Sequence, residues 1–352
     1  MIKVGIIGCG GVAERHIIPI RRLTGVEIVG VADIDEEKGR EIAHRCGIQY
    51  VYRDAAAMLR ERPPDVVHVL TPPQSHKEMS IQAMEAGCHV FVEKPMALNV
   101  KEADEMIAAS RHHRVTLGIC HNTLFDPAVM EAKELVTRGA IGKVVGVETF
   151  WRVFEGIQSS RYQKTQWLYE LPGGIFHEVC PHPVYLHMEF LKVLQVDSAI
   201  SKQIGSDLPM PPIDLCVLFA GESGFGYMSL STTTSPKIRI LTVRGTDMTI
   251  HVNMANNTLV KFRRDGFGGK VPKALENLDH ILQLLSKTIT NTLGTLRGRR
   301  TTGHGVLIEK FYESIRKGVD PPVTGEDGRA VVAVLDQIWA KLDKTHARGE
   351  AS

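Results

Sequence analysis

Gly8-Cys9-Gly10-Gly11-Val12-Ala13 is a G-x-G-x-x-A turn, and Asp33 follows Ala13 by 20 residues. At that spacing Gly8 permits a tight turn, and Gly10 lets the backbone approach a pyrophosphate. Ala13 lets the next helix pack closely on the preceding strand. The helix N-terminus then points at the phosphates, which makes Gly8, Cys9, Gly10, Gly11 and Val12 cofactor-binding candidates. A carboxylate at Asp33 can accept hydrogen bonds from an adenosine ribose hydroxyl, and it would repel a 2′-phosphate. Ile34 adds no positive charge, so NAD is favoured over NADP. The competing reading of Asp33 is an N-cap for a helix over 36–44.

Two further stretches carry polar groups at the carboxyl ends of β-like runs, where ligands of open α/β sheets bind. Thr71-Pro72-Pro73-Gln74-Ser75-His76 follows the run Val66–Leu70, and Thr71, Pro72 and His76 join the cofactor candidates. Glu93-Lys94-Pro95 follows His89–Val92. A lysine there, beside Glu93 and fixed by a proline, is placed to touch a reacting group; the plainer alternative is an ion pair that closes the loop. Arg152, Arg161, Tyr162, Lys164 and Trp167 could grip a sugar and an attached anion by stacking and charge-assisted hydrogen bonds, or form a solvated loop. His177-Glu178-x-x-x-His182, with His187 beyond, is one residue longer than H-E-x-x-H, and no third ligand is well placed, so no metal is expected.

The string Ala83-x-x-Ala86-Gly87-x-His89-Val90-x-x-Glu93-Lys94-Pro95, with Thr71-Pro72-x-x-x-His76 and the glycine turn upstream, resembles the glucose–fructose oxidoreductase / inositol dehydrogenase (Gfo/Idh/MocA) family. The resemblance implies a hydride transfer between NAD and a hydroxyl carbon of a sugar, sugar derivative or polyol, a nucleotide- or lipid-linked sugar among them. In that family a G-G pair is followed by an Asp four residues on and a His four after that, on a helix beside the nicotinamide. Those positions here are Glu178 and His182, after Gly173-Gly174. Positions i and i+4 share a helix face, although Pro181 and Pro183 bracket the histidine and should break or restart the helix. The implied roles are proton acceptor for His182, orienting or hydroxyl-binding group for Glu178, and hydrogen-bond donor to the reacting oxygen for Lys94. Asn122 and His121 border the nicotinamide by the same resemblance, and His177 joins the substrate candidates. An NAD-retaining lyase or epimerase that oxidises a sugar transiently, and a non-catalytic NAD sensor, stay open beside the dehydrogenase.

The elements that must hold these groups follow from pattern. The chain of 352 residues is long enough for two cores. Alternating β and α runs over 1–121 predict a dinucleotide-binding Rossmann domain. Residues 122–328 predict an α+β domain with a large open, mainly antiparallel sheet: a helix over 127–137, then strands near 143–154, 198–205, 214–220, 224–233, 238–244 and 248–253. The resemblance implies a homodimer or homotetramer through the free face of that sheet. An amphipathic helix over 303–317 follows, and a last helix over 329–352 is expected to pack back on the first domain.

Within the second domain, Leu275, Leu278, Leu282, Leu285, Ile289, Leu293 and Leu296 fall at helical spacing in a 274–300 insertion that closes on Arg297-Gly298-Arg299-Arg300. That helix either packs on protein or lies peripherally on an anionic membrane. Net charge is +2, which gives no field for nucleic acid. Six scattered cysteines without a C-x-x-C pair suit reduced thiols. With no secretory pattern visible, a cytoplasmic enzyme is expected.

Overall fold

The computed structural model describes residues 1–153, 166–168, 170–203, 213–232, 236–263, 270–296 and 302–349. The chain divides into two compact units: Met1–Phe125 with Tyr169–Pro181 and Thr302–Asp336, and Asp126–Leu168 with His182–Thr301 and Gln337–Ser352. Each is thus discontinuous in sequence, where pattern alone suggested contiguous spans.

The first unit begins β1 (Ile2–Ile7), α1 (Ala13–Ile20), β2 (Val26–Ala32), α2 (Glu36–Cys46), β3 (Val51–Tyr52), α3 (Ala55–Glu61), β4 (Val66–Val69), α4 (His76–Glu85), β5 (His89–Val92), α5 (Val100–His113) and β6 (Leu117–Ile119). The strands pair in parallel in the order β3-β2-β1-β4-β5-β6. The strand order reverses between β1 and β4, the switch point at which open α/β sheets bind ligands. Every residue of β4 is buried, as are Val4 to Ile7 of β1. That is why both read as unbroken apolar runs rather than alternating ones.

α6 (Pro127–Thr137), β7 (Val144–Arg152), α7 (Ile175–Val179), α8 (Pro181–Leu191), β8 (Leu194–Gln203), β9 (Ile213–Gly221), β10 (Phe225–Ser231), β11 (Ile238–Gly245), β12 (Met248–Asn253), β13 (Thr258–Arg263) and α9 (Lys270–Leu296) follow. The second sheet runs β13-β12-β11-β7-β10-β9-β8, antiparallel except where β10 pairs β7 in parallel. One face buries Leu215, Val217, Phe219, Met228, Leu230 and Trp151, while the other leaves Ile200 and Leu218 exposed. β13 lies outside the expected strands, and β12 matches its expected bounds.

α10 (Gly303–Lys317) and the first turns of α11 (Gly325–Gly349) return to the first unit. Thr302 caps α10 by accepting from Gly305 N–H. Thr324 and Asp327 bond reciprocally at the start of α11, a capping-box arrangement. The last helix starts at Gly325, directly after Thr324. It belongs to the first unit through Asp336 and to the second from Gln337.

Candidate active site

The glycine turn leaves the carboxyl end of β1. Gly8 has φ +96°, and a Cβ there would stand 2.7 Å from the Leu70 carbonyl carbon and the Thr71 nitrogen, so only glycine fits. At Gly10 an added Cβ would meet nothing within 4 Å, so that backbone faces open space. Asp33 closes the turn from β2: one carboxylate oxygen accepts from Cys9 N–H at 2.6 Å, the other from Asp35 N–H at 2.8 Å. The N-cap of α2 is Asp35, which accepts from Lys38 N–H, so the capping alternative for Asp33 is corrected to its neighbour. Ile34 is 88% exposed. The Thr71 hydroxyl, across the switch point from the turn, is buried with no hydrogen-bond partner among the described residues. A buried unpaired hydroxyl is costly without a ligand group to meet it. An open glycine backbone, a helix N-terminus, an acidic side chain at the end of β2 and this hydroxyl together fit a dinucleotide.

Lys94 stands at the carboxyl end of β5, 8% exposed. Its Nζ donates to Glu178 Oε1 at 2.6 Å and to the Glu178 carbonyl at 2.9 Å. Glu178 is positioned by Gly174, whose φ of +53° and ψ of −139° start α7 in a conformation that side chains disfavour. α7 stops at Cys180, and α8 begins with Pro181, whose missing N–H is harmless in a first turn. Glu178 and His182 thus lie on separate helices, and the expected shared face is corrected: the proline ends one helix and starts the next. In the second unit the His182 ring stacks on Trp151 at 5.3 Å, and its Nδ1 lies 2.6 Å from Tyr185 Oη.

Behind Lys94 runs a buried polar line that sequence spacing did not reveal. Glu93 Oε2 accepts from Lys94 N–H. Glu93 Oε1 lies 2.8 Å from His16 Nε2, His16 Nδ1 2.9 Å from His68 Nδ1, and His68 Nε2 3.0 Å from Tyr312 Oη. Burial alone would raise the Glu93 carboxyl, but hydrogen bonds from His16 and His304 hold it well below the usual carboxylate range. Burial lowers both His16 and His68. With the carboxylate charged and the rings neutral, one sense of donation satisfies every link: Tyr312 to His68, His68 to His16, His16 to Glu93.

Metal-ligating atoms also cluster here. Those of His16, Glu93, Cys120 and His304 lie within 4.8 Å of one another, the grouping found among the described residues. The 2.8 Å separation of His16 and Glu93 is that of a hydrogen bond, and burial pushes the Cys120 thiol well up. The cluster is therefore satisfied as a proton-bonded one. One sequence signal pointed to it: His16 interrupts the apolar stripe Ala13, Ile17, Ile20 of α1.

The remaining candidates divide. His76 is buried between two carbonyls, with Nδ1 2.8 Å from Pro95 O and Nε2 2.8 Å from Thr71 O. It ties the two loops together rather than offering a nitrogen to a cofactor. Pro72 is exposed and Asn122 half-buried at the end of β6. His121 and His177 are buried, and burial lowers each to about 4. His177 bonds the Ala97 backbone. Arg152 donates to Ser229 Oγ and backbone on the open face of the second sheet. Trp151 and its stacked His182 are on the covered face, because adjacent strand residues point oppositely. Trp167 is half-buried in a short 3₁₀ turn. Arg161, Tyr162 and Lys164 lie outside the described residues. All six cysteines are free thiols.

Residues 2–121 match the model of a family described as oxidoreductases with an NAD-binding Rossmann fold. Oxidoreductase P35 of Formosa agariphila is 30% identical over 189 residues, 53% of this chain and 59% of that protein. D-apiose dehydrogenase of Paraburkholderia graminis is 36% identical over 40% of this chain and 37% of its own length. Myo-inositol 2-dehydrogenase of Thermotoga maritima is 30% identical over 40% of this chain and 42% of its own length. The chain thus spans about half the length of the curated relatives it matches. In three dimensions it resembles the WlbA dehydrogenase of Bordetella pertussis, solved with NADH and UDP-GlcNAcA, at TM-score 0.77 and 20% identity over 98% of this chain and 96% of that one. UDP-N-acetylglucosamine 3-dehydrogenase of Acidithiobacillus ferrooxidans gives TM-score 0.72 and 18% identity over 97% and 98%. At such identities the likeness establishes the fold.

Proposed function

We propose, on the premise that residues 2–121 belong to the Gfo/Idh/MocA family of oxidoreductases with an NAD-binding Rossmann fold, that this chain is an NAD-dependent dehydrogenase acting on a CH–OH group of a sugar, sugar derivative or polyol. The observation that carries the proposal is the buried Lys94 ammonium, held by Glu178 at the carboxyl end of the same sheet whose glycine turn fits a dinucleotide. Two relatives, named for D-apiose and myo-inositol, support the substrate class.

The bound dinucleotide supplies the hydride acceptor. Gly8 to Val12 would hold its pyrophosphate and Asp33 its ribose, with the buried Thr71 hydroxyl as a further polar contact. Lys94 donates a hydrogen bond to the substrate oxygen and stabilises the alkoxide that develops there. Glu178 keeps that ammonium oriented, and the family resemblance gives His182, whose Nδ1 lies 2.6 Å from Tyr185 Oη, the role of proton acceptor. The proposal extends to a cytoplasmic homodimer or homotetramer formed through the open face of the second sheet, where Ile200 and Leu218 are exposed. Light scattering at the mass of a single chain would contradict that part.

A panel of polyols, free sugars and nucleotide sugars, incubated with the protein and NAD, tests the activity through NADH absorbance. Nucleotide sugars enter the panel because one structure similar in fold was solved with UDP-GlcNAcA. At least one member is expected to yield NADH, and Lys94→Met to lower its kcat about 10²-fold. Equal turnover by the variant would refute the role of Lys94.

A further inference from the structure

α9 is an amphipathic helix set in the second unit with its faces reversed. Its half-buried side is polar. Gln283 Oε1 accepts from Lys261 N–H at 2.9 Å, and its amide donates to Lys261 O at 3.3 Å, clasping the backbone of β13. Lys287 pairs with Glu131 at 2.6 Å, Asn291 donates to Asn257 O at 2.8 Å, and the His280 ring packs on Phe262. The opposite side is apolar: Leu278, Ile281, Leu282, Leu285, Ile289 and Leu293 are each 44–61% exposed. A helix that merely covers its own core buries the apolar stripe and shows water the polar one.

Three features say what covers this face. Thr288, Thr290, Thr292 and Thr295 each donate a hydroxyl to a carbonyl one turn earlier, at 2.8–3.0 Å, so these donors need no water. From His280 to Leu296 the sole charged side chain is Lys287, which is tied to Glu131. Lys270 and Lys273 at one end are balanced by Glu276 and Asp279, whereas Arg297, Arg299 and Arg300 follow the other end with no carboxylate between 280 and 300. Residues 270–300 hold six cationic and two anionic side chains, against +2 for the whole chain. Two copies pairing these stripes in parallel would bring three arginines beside three arginines. Lipid phosphates complement them instead. No helix among the described residues is long and apolar enough to cross a membrane.

We propose that α9 docks the second unit on an anionic lipid surface, lying in the plane with its leucines and isoleucines at the acyl boundary and the basic stretch that follows it among the headgroups. The test is flotation of the full chain with phosphatidylcholine vesicles, with and without phosphatidylglycerol. Wild type should float with the anionic vesicles and be released by salt. The combined Leu282→Ser, Leu285→Ser and Ile289→Ser variant should stay behind. Arg297→Gln with Arg299→Gln and Arg300→Gln should bind at least roughly tenfold more weakly. An unchanged thermal midpoint identifies folded variants, and the salt release of wild type tests the charge argument without any variant. Failure of wild type to float with anionic vesicles, or equal flotation of the serine variant, overturns the proposal. A drop in oligomer mass in the serine variant, with no flotation of wild type, would assign the face to a second copy and overturn it too.

Discussion

Lys94 and Glu178 are 84 positions apart, and each needs the other. A buried ammonium requires an anionic partner, and a charge-assisted bond of this length is worth about 1.5–3 kcal/mol. Glu178→Ala should therefore lower kcat roughly 10- to 100-fold while leaving NADH affinity near that of wild type. Steady-state kinetics beside an NADH titration separates the two effects, and a loss confined to NADH affinity would contradict the positioning role. Tyr312 ends the buried line at His68. Tyr312→Phe should cost about 1–3 kcal/mol of stability by leaving a ring nitrogen unsatisfied, measured by urea unfolding; no change would mean the line is not cooperative. Lys94, Asp33 and Glu178 were legible in the sequence because local motifs carry them. His16, Glu93, His68, Tyr312 and His304 act together across stretches of sequence that no short motif spans.

At the scale of elements, the β1–α1 turn is the most constrained part. Gly8→Ala places a Cβ against Leu70 and Thr71 backbone at a positive φ, so it should destabilise the first unit by about 2 kcal/mol or more and weaken NADH binding. A variant as stable as wild type would show that the turn relaxes freely. The parallel strands were readable from their buried Val and Ile runs, and β12 and α10 from period. β13 was not: its residues Lys261 to Arg263 are increasingly exposed, so its pattern is weak, and Gln283 of α9 completes its backbone bonding. The amphipathic stripe of α9 was visible, but which side faced the protein was not. Periodicity gives a face without saying what it meets.

The whole molecule carries buried neutral histidines. Burial lowers His121, His177 and His187 to about 4, and lowers His16, His68 and His76 as well. An unfolded histidine titrates near about 6.5. Between those values the unfolded chain binds more protons, so stability present above about pH 6.5 is lost as pH falls towards about 4, by up to about 1.4 kcal/mol per pH unit for each such ring. Glu93, held low, adds a loss only below about pH 4.3. Thermal midpoints should fall steadily from about pH 7 to about pH 5; a flat profile would mean that these rings titrate normally when folded.

The claim on which the rest stands is that the β1–α1 turn and Asp33 hold a dinucleotide. An NADH fluorescence titration tests it without knowledge of the substrate. Saturable binding is predicted, weakened about tenfold or more in Asp33→Ala through lost charged hydrogen bonds, with discrimination against NADPH reduced in the same variant. The absence of saturable NADH binding by the wild-type chain would contradict the account.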